Sequence, residues 1–151
     1  MRGDGRIWRG GQERGEHVVV AQWLDAHRIT WFHVPNGGSR HPVEAARMRA
    51  LGIKRGVPDF IIVDPPPRAE CHGAAIELKR ADGQGRVTPE QREWLRSLHE
   101  RGWAAHLAHG ANEAIAWLER LGYGARGRTT ERTTTVAARA AGLSIRSAAD
   151  E

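Results

Sequence analysis

Apolar residues along the chain fall into two kinds of pattern. Val19, Val20, Trp23 and Leu24, with Ala21 and Ala26 filling in, recur at helical spacing over Arg14–His27. Val43–Leu51 carries good helix formers and is followed by Gly52, a natural C-cap. Thr88-Pro89-Glu90-Gln91 reads as a helix start, with Thr88 as N-cap, Pro89 at the first position and Gln91 placed to close a capping box. That helix continues through Trp94, Leu95 and Leu98 to about Arg101 and stops at Gly102. Asn112 predicts the cap of a last helix, with Ile115, Leu118 and Leu121 turned inward. Between these stretches lie short apolar runs bounded by Pro and Gly, the pattern of buried strands: Ile29–Val34, Val57–Val63, Ala75–Lys79 and Trp103–Ala108. The order α-β-α-β-β-α-β-α predicts an α/β sandwich with a central mixed sheet flanked by helices.

Composition adds a frame to this pattern. At 151 residues with six Trp and 40% hydrophobic content, the chain is long enough for one domain with a real core. Residues 1–12 read as a flexible basic tail, 13–123 as the folded domain, and 124–151 as a Thr/Arg/Ala-rich C-terminal tail. The lone Cys71 excludes an internal disulfide and suits a reducing compartment. No apolar stretch resembles a signal peptide or a membrane span, so a cytoplasmic location is expected.

Charge changes the picture only locally. The net charge of +5 sits mostly in the two tails. Arg40, Arg47, Arg49, Lys54 and Arg55, opposed only by Glu44, form a denser cluster, suited to a phosphate backbone. By charge alone it is equally a solvated helix face. Asn36-Gly37-Gly38 is a strong turn signal that also permits close approach of a phosphate.

The candidate chemistry lies between Val57 and Lys79. Glu77 and Lys79, two residues apart on a strand, share one face, while Ile76 and Leu78 point to the other. Pairing of the two strands as a hairpin brings Asp59 near that face. Two carboxylates and an ammonium on one patch are costly unless a cation or substrate uses them. Hard divalent ions take such oxygen ligands and keep their remaining waters. A metal-dependent phosphodiester hydrolase is the expectation. Of 23 basic residues only Lys54 and Lys79 are lysine, which makes a compact ammonium at 79 informative. Cys71 and His72 lack the repeated spacing of a zinc site and read as incidental.

Asp59 after Pro58, followed by Glu77-Leu78-Lys79, resembles the core of the PD-(D/E)xK nucleases. Glu16, Asn36-Gly37-Gly38, Gly56-Val57-Pro58-Asp59, Ile76-Glu77-Leu78-Lys79 and Gln91, in that order, resemble the VRR-NUC (virus-type replication-repair) branch over about residues 13–121. The resemblance implies a restriction-endonuclease-like fold. It implies that Asp59, Glu77 and the Leu78 backbone carbonyl hold Mg²⁺ or Mn²⁺, and that Lys79 stabilises or orients the attacking hydroxide. It adds Glu16 to the acidic cluster, where position alone favours a helix-dipole role. It gives Gln91 a second task, orienting a water or Lys79. Asn36, Gly37, Gly38, Arg40, Arg47, Lys54 and Arg55 become the expected DNA contacts. Cleavage of branched DNA (a Holliday-like junction or a flap) by a homodimer is the implied activity. The rival readings are another PD-(D/E)xK branch, a non-catalytic DNA-binding module on the same fold, and a structural partner protein.

Overall fold

A computed structural model describes residues 9–35 and 42–125. Four helices and four strands follow in the expected order: α1 (Arg9–Ala26), β1 (Trp31–His33), α2 (Pro42–Ala50), β2 (Phe60–Ile62), β3 (Ala74–Lys79), α3 (Pro89–Glu100), β4 (Ala104–His109) and α4 (Ala111–Arg120). The strands form one sheet in the order β1-β2-β3-β4. The first two pairings are antiparallel and β3 runs parallel to β4, so the sheet is mixed. The parallel pair needs a crossover, and α3 supplies it. The expected α/β sandwich is the fold found.

Side-chain alternation along β3 divides the molecule into two layers. Ala74, Ile76 and Leu78 join Phe60 and Ile62 in a core completed by Val20 and Leu24 of α1 and by Ala111, Ala114 and Leu118 of α4. Helix α3 packs on β3 and β4, and its Gln91 reaches Glu77, so it covers the other face. Each fully buried Leu or Ile here contributes roughly 1.5–3 kcal/mol of transfer free energy. All six residues of β3 are buried, including Glu77 and Lys79. The central strand therefore carries both the core and the charges.

Several expectations are corrected. Helix α1 begins at Arg9, inside the stretch read as a tail, because extending a nucleated helix costs far less than starting one. On α1 the buried stripe runs through Val20 and Leu24, while Val19 is 46% exposed. The first strand is only Trp31–His33. The last helix is capped at Gly110, not Asn112, which lies in its first turn. Asn36, Gly37, Gly38 and Arg40 lie outside the described residues, as do residues 1–8 and 126–151 of the two tails. Among the described residues, no helix is long and apolar enough to cross a membrane.

Candidate active site

The β2–β3 register sets Phe60 opposite Ile76, which places Asp59 level with Glu77 just beyond the end of β2. The backbone carbonyl of Asp59 accepts from Val34 N–H at 2.9 Å and so is held by β1. Its carboxylate continues the ladder: Oδ2 accepts from the Leu78 N–H at 2.9 Å. One more step of the same register would set Pro58 opposite Leu78, and proline has no N–H to offer the Leu78 carbonyl. The Pro-Asp pair thus replaces a backbone partner with a carboxylate at the point where the sheet ends.

Glu77 is 2% exposed and surrounded by donors on one oxygen only. Lys79 Nζ lies 2.8 Å from Oε1, and Gln91 Nε2 donates to the same atom. Oε2 is buried without a hydrogen-bond partner. Burial first, and then the negative charge of Asp59, push the Glu77 carboxyl up to about 7, while Lys79 and His17 pull it back. An ionised carboxylate with one empty buried oxygen is the donor a cation would satisfy. Asp59 and Glu77 fit a divalent ion on that ground. Among the described residues, no three His, Cys, Asp or Glu side chains gather closely enough to hold a metal alone. This suits an ion that uses one or two carboxylates and keeps its waters.

Gln91 closes the capping box expected of it, and its second contact is with Glu77 rather than with Lys79. Thr88 Oγ1 accepts from Gln91 N–H at 3.3 Å, and Gln91 Oε1 accepts from Thr88 N–H at 2.9 Å, closing the capping box. Its amide nitrogen remains for Glu77. Gly56 lets this corner pack tightly. At φ +75° a Cβ there would stand 2.7 Å from the Glu90 carbonyl carbon and 2.8 Å from Gln91 N. Gly56→Ala is therefore expected to destabilise the fold by about 1–3 kcal/mol, and to lower any cleavage rate more than a surface Gly→Ala change would. Thermal melts beside rate measurements, with Gly83→Ala as the open-space control, check this.

Glu16 lies at the start of α4. Its Oε2 accepts from Ala111 N–H at 2.6 Å, serving the N-terminus of α4, whose cap Gly110 offers no side chain. The dipole reading thus applies to a helix ninety-five residues away rather than to its own. Its neighbour His17, which sequence reasoning missed, stands at the site instead, with Nε2 3.6 Å from Asp59 Oδ2. The signal was available: His17, Val20 and Leu24 share one helix face, and the last two are buried. Arg47, Lys54 and Arg55 are all exposed. The Arg55 carbonyl accepts from Trp94 Nε1 at 2.9 Å, which ties this basic turn to the helix carrying Gln91.

An acid at the end of one strand with an acid and a lysine on its neighbour, in a mixed sheet between helices, belongs to the PD-(D/E)xK class of nuclease folds. Within that class the chain is a member of the VRR-NUC domain family, whose model matches residues 11–112. A solved structure described as a VRR_NUC domain protein is 29% identical, with a TM-score of 0.61, over 73% of this chain and 87% of that one. No curated protein matches the chain.

The raised Glu77 carboxyl has a consequence for stability. A carboxyl that titrates near 4.5 when unfolded and near 7 when folded binds its proton more tightly in the native state. Its contribution is full below pH 4.5 and is lost as the pH rises to about 7. The full loss is on the order of 3 kcal/mol. Metal-free protein is expected to melt lower at pH 7.5 than at pH 5, with Mg²⁺ or Mn²⁺ recovering part of the difference only at the higher pH. Melts across that range with and without EDTA measure it.

Proposed function

We propose that this domain is a divalent-metal-dependent DNA endonuclease, using Mg²⁺ or Mn²⁺ and selective for branched DNA. One observation carries the metal reading: Glu77, buried beside Asp59 and Lys79, keeps one oxygen without a partner. Asp59, Glu77 and the Leu78 carbonyl would hold the ion. When bound, it supplies Lewis acidity toward the phosphoryl oxygens and acidifies a water. Lys79 holds a proton-rich point charge beside that acid, where negative charge develops on the phosphoryl group. Gln91 fixes the Glu77 carboxylate so that the empty oxygen stays oriented. Glu16 anchors α4 beside the end of β3, where Gly110 N–H is donated to the Lys79 carbonyl at 2.8 Å.

Arg47, Lys54 and Arg55 would meet backbone phosphates, which set position without reading bases. No described element resembles a base-reading module, which favours recognition of DNA shape. A homodimer would present two such sites to the two equivalent strands of a junction. The test is nicking of a labelled four-way junction and a matched linear duplex with Mg²⁺, Mn²⁺ or EDTA, beside Glu77→Ala. Metal-dependent nicking of the junction, lost in the variant, supports the reading, and sedimentation gives the mass of the active species. Equal nicking of both substrates removes the branch selectivity. Binding without nicking in either metal replaces the nuclease with a DNA-binding module.

A further inference from the structure

The sheet ends at β1 on one side and at β4 on the other, and the two edges differ. Strand β1 is three residues long, whereas β4 runs for six and contains no proline, Lys, Arg, Asp or Glu. Short length, proline and charge are the devices that keep a sheet edge from pairing with another chain. The bonds to β3 fix which way the β4 backbone points. Ala104 N–H is donated to the Gly73 carbonyl at 3.0 Å and Gly110 N–H to the Lys79 carbonyl at 2.8 Å, so even-numbered residues face β3. The N–H and C=O groups of the odd-numbered residues point away from the sheet. At the two ends the outward N–H is met within the chain. Trp103 N–H is donated to the Leu98 carbonyl at 3.0 Å, and His109 N–H to Glu113 Oε2 at 3.0 Å. Ala105 and Leu107, between them, have no such partner among the described residues. A cavity of about 360 Å³ adjoins them, lined by His99, Trp103, Ala104, Ala105, Trp117 and Leu121. Lining from both helical layers places it at the rim of the sheet, beside the same edge.

We infer that two copies of this chain join antiparallel along β4, merging their four-stranded sheets into one, which takes up and rests on the homodimer proposed above. A two-fold contact needs a surface that complements itself, and an antiparallel pair of identical strands is one. The bonding pattern selects the register. With the axis at His106, Ala105 of each copy lies opposite Leu107 of the other, and each pair exchanges both of its N–H···O=C bonds. Moving the axis one or two residues either way would bring in Trp103 or His109, whose N–H groups are already used. The chosen register also sets Leu107 of the second copy against Ala105, next to the apolar cavity, so hydrophobic area is buried along with the backbone bonds. An axis normal to the sheet keeps both copies of Glu77 on the same face. Strand spacing and rise put their Cα atoms on the order of 15 Å apart, so two strands of one branched substrate could meet two sites.

Sedimentation of the full chain reads the dimer, and oxidative cross-linking reads the register. Residues facing each other in a non-hydrogen-bonded antiparallel pair have Cα atoms about 4.5 Å apart, within the span of a disulfide. In a Cys71→Ser background, His106→Cys is therefore expected to give a covalent dimer on mild oxidation. Leu107→Cys, whose copies stand about 8 Å apart in this register, is expected to give little. Ala105→Pro removes an outward N–H without breaking a bond inside the sheet, and should raise the dimer dissociation constant at least about tenfold. Ala105→Lys puts a charge on the edge and should act alike, which guards against a fault peculiar to proline. Circular dichroism checks that both variants fold. A wild-type dimer that neither Ala105 variant weakens, or that does not cross-link through position 106, overturns the inference and leaves a homodimer through another surface. Cross-linking at position 107 as readily as at 106 overturns the register and with it the inference. A wild type monomeric at every concentration overturns it together with the homodimer, and the nicking assay above then decides the nuclease reading separately.

Discussion

Glu77→Gln is expected to abolish cleavage while stabilising the metal-free protein at pH 8. The two effects have one origin. In the wild type an ionised Glu77 at that pH is buried, opposed by Asp59 and left with one oxygen unpartnered. Replacing it by a neutral amide removes the charge and retains an oxygen able to accept from Lys79 and Gln91. The gain is bounded by the same shift that raises the carboxyl to about 7, so on the order of 3 kcal/mol at most. The new amide N–H₂ would lack an acceptor where Oε2 lacked a donor, and that takes back part of it. At pH 5 the wild type is already protonated and the advantage disappears. On the proposed metal-dependent reading, cleavage should fall by roughly 10³-fold or more, because losing a charge that would hold the ion removes several kcal/mol of transition-state stabilisation. Denaturant melts at pH 5 and pH 8, set beside single-turnover rates, separate the outcomes. A variant destabilised at both pH values would show that Glu77 is held for structure.

Lys79→Met is the second large effect, and its stability cost should depend on pH in the opposite sense. Methionine preserves the apolar stem and removes the ammonium that lies 2.8 Å from Glu77 Oε1. Removing one partner of a buried pair typically costs about 3–5 kcal/mol, because the remaining charge is left uncompensated. Glu77 can escape by taking up a proton, which is already easy near pH 7. The cost is therefore expected to be small at pH 5 and to grow as the pH rises past 7. Cleavage should fall by roughly 10²–10³-fold at any pH, comparable to losing one preorganised charge from a transition-state site. Lys79→Arg should recover stability at pH 8 without recovering rate, since a planar guanidinium cannot occupy the same point. Full activity in Lys79→Arg would reduce the lysine to a counter-ion.

What the sequence disclosed and what it hid divide along a physical line. Strand pairing around Asp59 and Glu77 was legible because each strand is a short apolar run with Pro or Gly beside it, and because alternation fixes which residues share a face. The capping role of Gln91 was legible because a capping box is a local pattern, whereas its bond to Glu77 was not. Contacts that join distant parts of the chain were not. Glu16 serves Ala111, and His17 serves Asp59, and neither pairing leaves a trace in local periodicity. Asn112 is a good cap residue by type, yet Gly110 holds the cap position because a carboxylate from another helix supplies the missing acceptor. Val19 failed for a smaller reason: two adjacent valines cannot both face inward, and only Val20 shares the stripe of His17 and Leu24.

The shared use of Gln91 couples two processes that are usually separate. One amide closes the first turn of α3 through its oxygen and grips Glu77 through its nitrogen. Any fraying of that turn releases the carboxylate, so the population of open helix ends sets an upper limit on the fraction of competent sites. Heat should then silence the domain below the temperature at which the sheet comes apart, and amide exchange at the start of α3 should track that loss. Strengthening the capping box, rather than the hydrophobic core, is the way to extend its working range.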